Sequence, residues 1–193
     1  MTREDEVLAF WLDESSPADW YKSDPDFDAL IRDRFEQTWK DATEGSLGLW
    51  LTHATGTLAY IILTDQFPRN MFRDTAKAFS TDFLGLAAAK MAIDRNWDMK
   101  IAEPARQFFY LPLMHSETLS DQDRAVRLIH SRMPETGDSN RDHARAHRRI
   151  IRDFGRFPYR NAALGRRTSP AEQAFLDAGG YGFALRALQE KPA

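Results

Sequence analysis

Apolar residues recur along this chain with the three-to-four spacing of helices and nowhere alternate in the two-residue rhythm of a strand. Glu4 to Leu12 reads as a short first helix ending in the aromatic pair Phe10-Trp11, and a Pro- and Asp-rich link with Trp20-Tyr21 follows. A strong helix opens at Asp26, where Phe27, Leu30, Ile31, Phe35, Trp39 and Ala42 form one apolar stripe, and Gly45 closes it. Ser46 can cap the next segment, which runs through Leu47, Trp50, Ala54, Leu58, Ile61 and Ile62 to Asp65, loosened at Gly56. Pro68 lacks a backbone donor and is expected to stop it.

The second half carries the same rhythm. An alanine-rich helix over Thr81 to Arg95 is expected to turn Phe83, Leu86, Ala87 and Met91 inward. Ser120 and Asp123 resemble a capping box for a helix to Arg132, which Met133-Pro134 ends. A further helix starts at Asp138 or Ser139 and breaks at Gly155 and Pro158. Ser169, Pro170 and Glu172 supply cap, first position and box partner for another helix, which ends at Gly179. About eight helices joined by short links predict an all-α chain in which helix pairs stack, although no repeat of fixed period shows in the letters.

Length makes a single domain over residues 1–193 the simplest expectation, with a weakly ordered tail from about 181 to 193. Such a chain buries roughly 70% of its unfolded surface and needs no crosslink to fold. It has no cysteine, which excludes disulfide and thiolate chemistry and fits a reducing compartment. No apolar run approaches the roughly 18 residues of a membrane span, and the start of the chain lacks a signal-peptide core, so a cytoplasmic location is expected.

Charge is unevenly spread. Residues 1–44 hold five basic and thirteen acidic side chains, a net of −8, and residues 141–167 hold nine arginines against two aspartates, a net of +7. The chain as a whole carries −3, which argues against nucleic acid as a partner. On a helical projection Arg141, Arg145, Arg148 and Arg152 fall opposite His143, His147, Ile150, Ile151 and Phe154, so the arginine row reads as a solvated face.

Candidate chemistry gathers at two similar helix exits. Leu63 to Arg73 and Asp142 to Leu164 both leave an apolar helix through Phe-Pro and then present Arg-Asn, which suggests two walls of one pocket. Arg69, Asn70 and Arg73 follow the first break, with Asp65 and Gln66 before it; Arg156, Arg160 and Asn161 follow the second. Arginine forks match carboxylates and phosphates, and asparagine supplies both donor and acceptor, so a groove lined by these residues would hold a small anionic ligand or the acidic terminus of a protein partner. The same arginines can instead cap free carbonyls or pair with carboxylates, a purely structural role. His115 and Glu117, in M-H-S-E, would serve a hydrolase-type enzyme as an acid–base pair. His143 and His147 have metal-pair spacing, but Arg148 stands where a catalytic glutamate would sit, so neither a metal nor a cofactor is assigned. No P-loop, G-x-S-x-G or G-x-G-x-x-G occurs. The letters leave the oligomeric state open.

These residues resemble the bacterial family catalogued as domain of unknown function 924. The resemblance runs from V-L-A-F-W-L at Val7 to P-A-E-Q-A-F-L at Pro170. It rests on D-Q-F-P-R-N (Asp65–Asn70), R-D-T-A-K-A-F (Arg73–Phe79), F-F-Y-L-P-L-M-H-S-E (Phe108–Glu117), H-R-R-I-I-R-D-F-G-R-F-P-Y-R-N (His147–Asn161) and L-G-R (Leu164–Arg166). It implies a tetratricopeptide-like α–α superhelix of antiparallel helix pairs and no particular activity. The motif positions it marks are Asp65, Gln66, Arg69, Asn70, Arg73, His115, Glu117, His147, Arg156, Arg160 and Asn161. Tyr159 departs from the histidine that many relatives carry there.

Overall fold

Every regular element in the computed structural model, which describes residues 2–189, is helical, and the described residues contain no strand. The chain forms two compact units, residues 1–112 and 113–193.

In the first unit, α1 (Arg3–Leu8) starts from a capping box in which Thr2 and Asp5 satisfy each other's amides. It widens into a π-helical segment, Ala9–Glu14, that buries Phe10 and Trp11. Helix α2 (Pro25–Thr43) begins one residue ahead of Asp26: Asp24 accepts from the Asp26 and Phe27 amides, and Pro25 occupies the first position, where no donor is missed. Its inward face is Asp28, Ile31, Phe35, Thr38, Trp39 and Ala42. Leu30, expected in the stripe, is 45% exposed, and a carboxylate, Asp28, is buried instead.

The next helix corrects the role given to Pro68. Helix α3 (Ala54–Ile61) does not stop there but passes through a π-helical turn, Ile62–Gln66, into α4 (Phe67–Met71). In a regular helix the proline ring would press on the carbonyl four residues back, that of Thr64, and leave it without a donor. The widened turn admits the ring, and the Thr81 hydroxyl donates to the Thr64 carbonyl at 2.6 Å. Thr81 also accepts from Trp39 Nε1 at 3.1 Å, tying α2 to the same turn.

Helix α5 (Asp82–Asp94) packs on α3 and the π turn through Gly85, Ala88, Ala89, Ala92 and Ile93. The face is rotated from the expected one: Phe83 is 67% exposed and Ala87 is also on the surface. Small residues decide this, because a side-chain carbon at Gly85 would lie 3.1 Å from Asp65 Cβ. The core of this unit is aromatic. Phe67 contacts Phe10, Trp11 and Phe35 with ring centroids 4.8–6.0 Å apart, and Trp20 donates from Nε1 to the Trp11 carbonyl.

The boundary between the units falls within α6 (Leu111–His115). In the second unit, α7 (Leu119–Arg132) and α8 (Gly137–Phe154) pack as neighbours joined by a short link, and α10 (Gly180–Gln189) packs on α8. Helix α7 starts without the Ser120 box. Thr118 is its cap residue and makes no side-chain cap bond, while Ser116 Oγ donates to Asp121. Helix α9 (Pro170–Asp177) has the capping box expected of Ser169 and Glu172. Gly155 ends α8 in the left-handed conformation, φ +70°, and its amide reaches the Ile151 carbonyl. Ile150, Ile151, Phe157 and Ala184 form the core, flanked by Phe154, Phe175 and Tyr181. The segment expected to be weakly ordered from 181 is helical through Gln189, and residues 190–193 lie outside the described residues. No helix among the described residues is long and apolar enough to cross a membrane.

Candidate functional site

Each Phe-Pro exit anchors its phenylalanine in a core: Phe67 and Phe157 are both completely buried. Burying such a ring is worth roughly 1.5–3 kcal/mol, enough to fix where the following Arg-Asn pair emerges. The two exits belong to different units, the first to residues 1–112 and the second to residues 113–193.

In the first unit the motif side chains meet two carboxylates. Asp65, completely buried, accepts from the Gln66 amide and, at 3.2 Å, from Arg69 Nη2. Arg69 also donates to Asp82 at 2.8 Å and lies over the Phe79 ring. Burial works against its charge, but Asp65 and Asp82 outweigh that and raise its pKa. Asn70 and Arg73 converge on Asp28 instead. Asn70 donates at 2.8 Å, and Arg73 makes a two-pronged pair at 2.8 and 2.9 Å. Arg32 closes the far end of α4 by donating to the Met71 carbonyl. Asp28 and Asp82 were absent from the expected set. A signal for Asp28 existed, since it stands three and seven residues before Ile31 and Phe35, on the buried stripe of α2.

In the second unit Glu117 is the hub. It accepts from the Phe157 amide at 2.8 Å and from both terminal nitrogens of Arg166 at 2.7 and 3.0 Å. Burial pushes its carboxyl up, but the bonds from Arg166 and Phe157, and the charges of Arg166 and Arg160, hold it below the ordinary value. Arg166 further donates to the Phe157 carbonyl and to Asn161 Oδ1, each at 3.0 Å, while Asn161 donates to Thr168. Arg166 sits in the L-G-R motif but was not expected as a site residue. Arg156 pairs in two-pronged fashion with Glu172 at 2.6 and 2.9 Å and reaches the Arg167 carbonyl. Glu172 also caps α9, and its carboxyl is lowered mainly by Arg156.

Arg160 is 7% exposed and stacks on Phe157, 4.5 Å from the ring centre. On the same ring lie His147, edge-on at 5.3 Å, and Tyr159, stacked at 5.3 Å. His147 also touches His115 at 6.4 Å and Tyr181 at 4.9 Å. Its Nδ1 lies 2.8 Å from the His143 carbonyl, which can only accept, so Nδ1 carries the proton and Nε2 the lone pair. Nε2 makes no hydrogen bond among the described residues. Burial pushes the His147 pKa down to about 3, helped by the charges of His115, Arg160 and His143 and opposed by the bond to the His143 carbonyl.

The two histidines of the metal-spaced pair have spent their Nδ1 atoms, His143 on the Tyr181 hydroxyl and His147 on the carbonyl. Among the described residues no group of three or more His, Cys, Asp or Glu side chains is placed to hold a metal ion.

No curated protein matches the chain. A solved structure of a protein of unknown function, ATU0120 from Agrobacterium tumefaciens, is similar at 39% identity and a TM-score of 0.85, over 91% of this chain and 97% of that one. The sequence pattern of the family described as bacterial protein of unknown function (DUF924) matches residues 7–180, and the chain belongs to that family.

Proposed function

We propose that this protein is a cytoplasmic, tetratricopeptide-like binding module whose second unit holds a small anionic ligand where His147, Tyr159 and Arg160 meet on Phe157. The observation that carries the reading is His147 Nε2. It is an unprotonated acceptor with no hydrogen-bond partner among the described residues, in a ring otherwise packed among aromatic neighbours. Arg160 supplies positive charge at the same ring, and Tyr159, 37% exposed, keeps one side of the cluster within reach of solvent. An acceptor beside a cation suits an anion that also keeps a hydroxyl, such as hydrogen phosphate or a hydroxy acid.

The remaining motif residues act in this reading as locks. Arg73 and Arg156 are each gripped on two prongs by a carboxylate of their own unit, which leaves little for a ligand, and Arg69 is held through Nη2 by Asp65 and Asp82. Glu117 already serves both terminal nitrogens of Arg166 and the Phe157 amide, which leaves it little capacity to orient His115 as a base. Binding is therefore favoured over hydrolysis.

The test is a thermal-shift series with inorganic phosphate, glycolate and citrate on the wild type and on the His147→Gln, Tyr159→Phe and Arg160→Gln variants. A ligand at about 100 times its Kd adds ~2.7 kcal/mol, or roughly 5–10 °C for a chain of this size. The expected result is a shift with one of these probes that shrinks in His147→Gln and Tyr159→Phe, which keep the packing volume. A flat series, or a shift equal in all four proteins, would overturn the reading.

A further inference from the structure

The outer face of α8 offers a second feature, separate from the His147 cluster. Arg145, Arg148, Arg149 and Arg152 line a surface depression of about 300 Å³, which Leu188 of α10 completes. Their spacing places all four within an arc of about 100° and along roughly 10 Å of helix axis. The expectation of a merely solvated arginine row does not account for the concavity, because α10 supplies an apolar wall that the letters gave no reason to place there.

Charge at the depression is only partly compensated among the described residues. Arg149 pairs with Asp153 at 2.6 Å, Arg148 reaches Asp123 on α7 at 3.4 Å, and Arg145 stands 3.9 Å from Asp142. Arg152 has no partner among the described residues. Four guanidinium groups thus face three carboxylates, two of them at loose distances. Like charges crowded on one helical face destabilise the helix unless an anion screens them.

We propose that this depression binds a compact oligophosphate, either free or as the phosphate tail of a nucleotide. Guanidinium forks match phosphate oxygens in pairs, and a short phosphate chain can span a row of cations about 10 Å long. A single carboxylate would engage one guanidinium fork and leave the rest of the row without a ligand contact. An extended nucleic-acid strand fits less well, because the basic surface is a walled hollow rather than a continuing track, and the chain's net charge is −3.

Calorimetric titration with sodium tripolyphosphate at constant ionic strength tests the assignment. The wild type is expected to show one saturable site, and the double variant Arg145→Gln/Arg152→Gln to lose affinity by roughly tenfold or more. Arg145 and Arg152 have the weakest protein contacts of the four, so the variant should keep wild-type helicity. Arg167→Gln removes an exposed charge elsewhere and is expected to bind normally, and Arg160→Gln should also leave this site intact, which separates it from the His147 cluster. ATP, tested beside tripolyphosphate, distinguishes a free chain from a nucleotide tail. No saturable binding, or undiminished binding in the double variant, would overturn the proposal. So would a single-stranded oligonucleotide that binds more tightly than tripolyphosphate and is lost in the same variant, which would assign the face to nucleic acid.

Discussion

A neutral His147 makes stability depend on pH in a defined direction. Its pKa is pushed down to about 3 in the fold by burial, against about 6.5 for an unfolded histidine. Between these values the unfolded chain takes up a proton that the folded chain refuses. Stability is therefore fully present above about pH 6.5 and is lost as pH falls toward 3. With those two values, the loss between pH 8 and pH 5 is about 2 kcal/mol. His143, also lowered by burial, adds a loss of the same sign. The carboxylates lowered by their partners, such as Glu117, stay ionised through this window and lose their contribution only at more acid pH. Urea unfolding at pH 7.5, 6 and 5 measures the effect in wild type and in His147→Gln, whose amide does not titrate. The variant is expected to be less stable at pH 7.5, and the gap should shrink by about 2 kcal/mol at pH 5. Equal slopes in the two proteins would refute the reasoning. So would a wild type that gains stability on acidification, since His147 would then be protonated in the fold and the acceptor nitrogen would not exist.

Three other substitutions probe the locks by the same assay. Asp28→Ala strands Arg73 and Asn70, and removal of one partner from such a half-buried pair should cost about 3 kcal/mol, reduced when Arg73→Leu is added. Thr81→Val keeps the shape but removes the hydroxyl between Trp39 and the Thr64 carbonyl; with two buried polar groups orphaned, a loss of about 2 kcal/mol is expected. Gly85→Ala pushes a carbon to 3.1 Å from Asp65 and should cost about 1–3 kcal/mol, whereas an exchange at exposed Phe83 should cost little.

Local features were the legible ones. The Ser169-Pro170-Glu172 box, the stripe through Ile31, Phe35, Trp39 and Ala42, and the breaks at Gly45 and Gly155 depend on neighbours a few residues apart, and the structure has them as expected. The π turn before Pro68 was not legible. Its stability rests on Thr81, seventeen residues away, and Pro68 alone reads as a stop. The rotated face of α5 escaped for a related reason: size outranked hydrophobicity where the backbone approached Asp65. In the candidate site most of the cationic residues were visible, as were Asp65 and Glu117, but Arg166, Asp28, Asp82 and the pairings themselves were not. Asp28 lies 45 residues from Arg73 and Glu117 lies 49 from Arg166, separations at which only the folded chain selects a partner. The arginine row on α8 was visible too, yet its concavity depends on α10 arriving beside it.

The widened turn at Ile62–Gln66 carries a lesson about reading frame. A π turn holds one residue more than regular helical winding, so it acts as a built-in insertion, and every side chain after it is turned by about 100° relative to a straight continuation. Removing one residue from this segment would tighten the winding to that of a regular helix and press the Pro68 ring on the carbonyl four residues before it. It would also swing Arg69, Asn70 and Arg73 away from Asp65, Asp82 and Asp28 together. For this stretch of chain, length is thus constrained as tightly as composition, and a shortened protein with every motif letter intact would still have lost its lock.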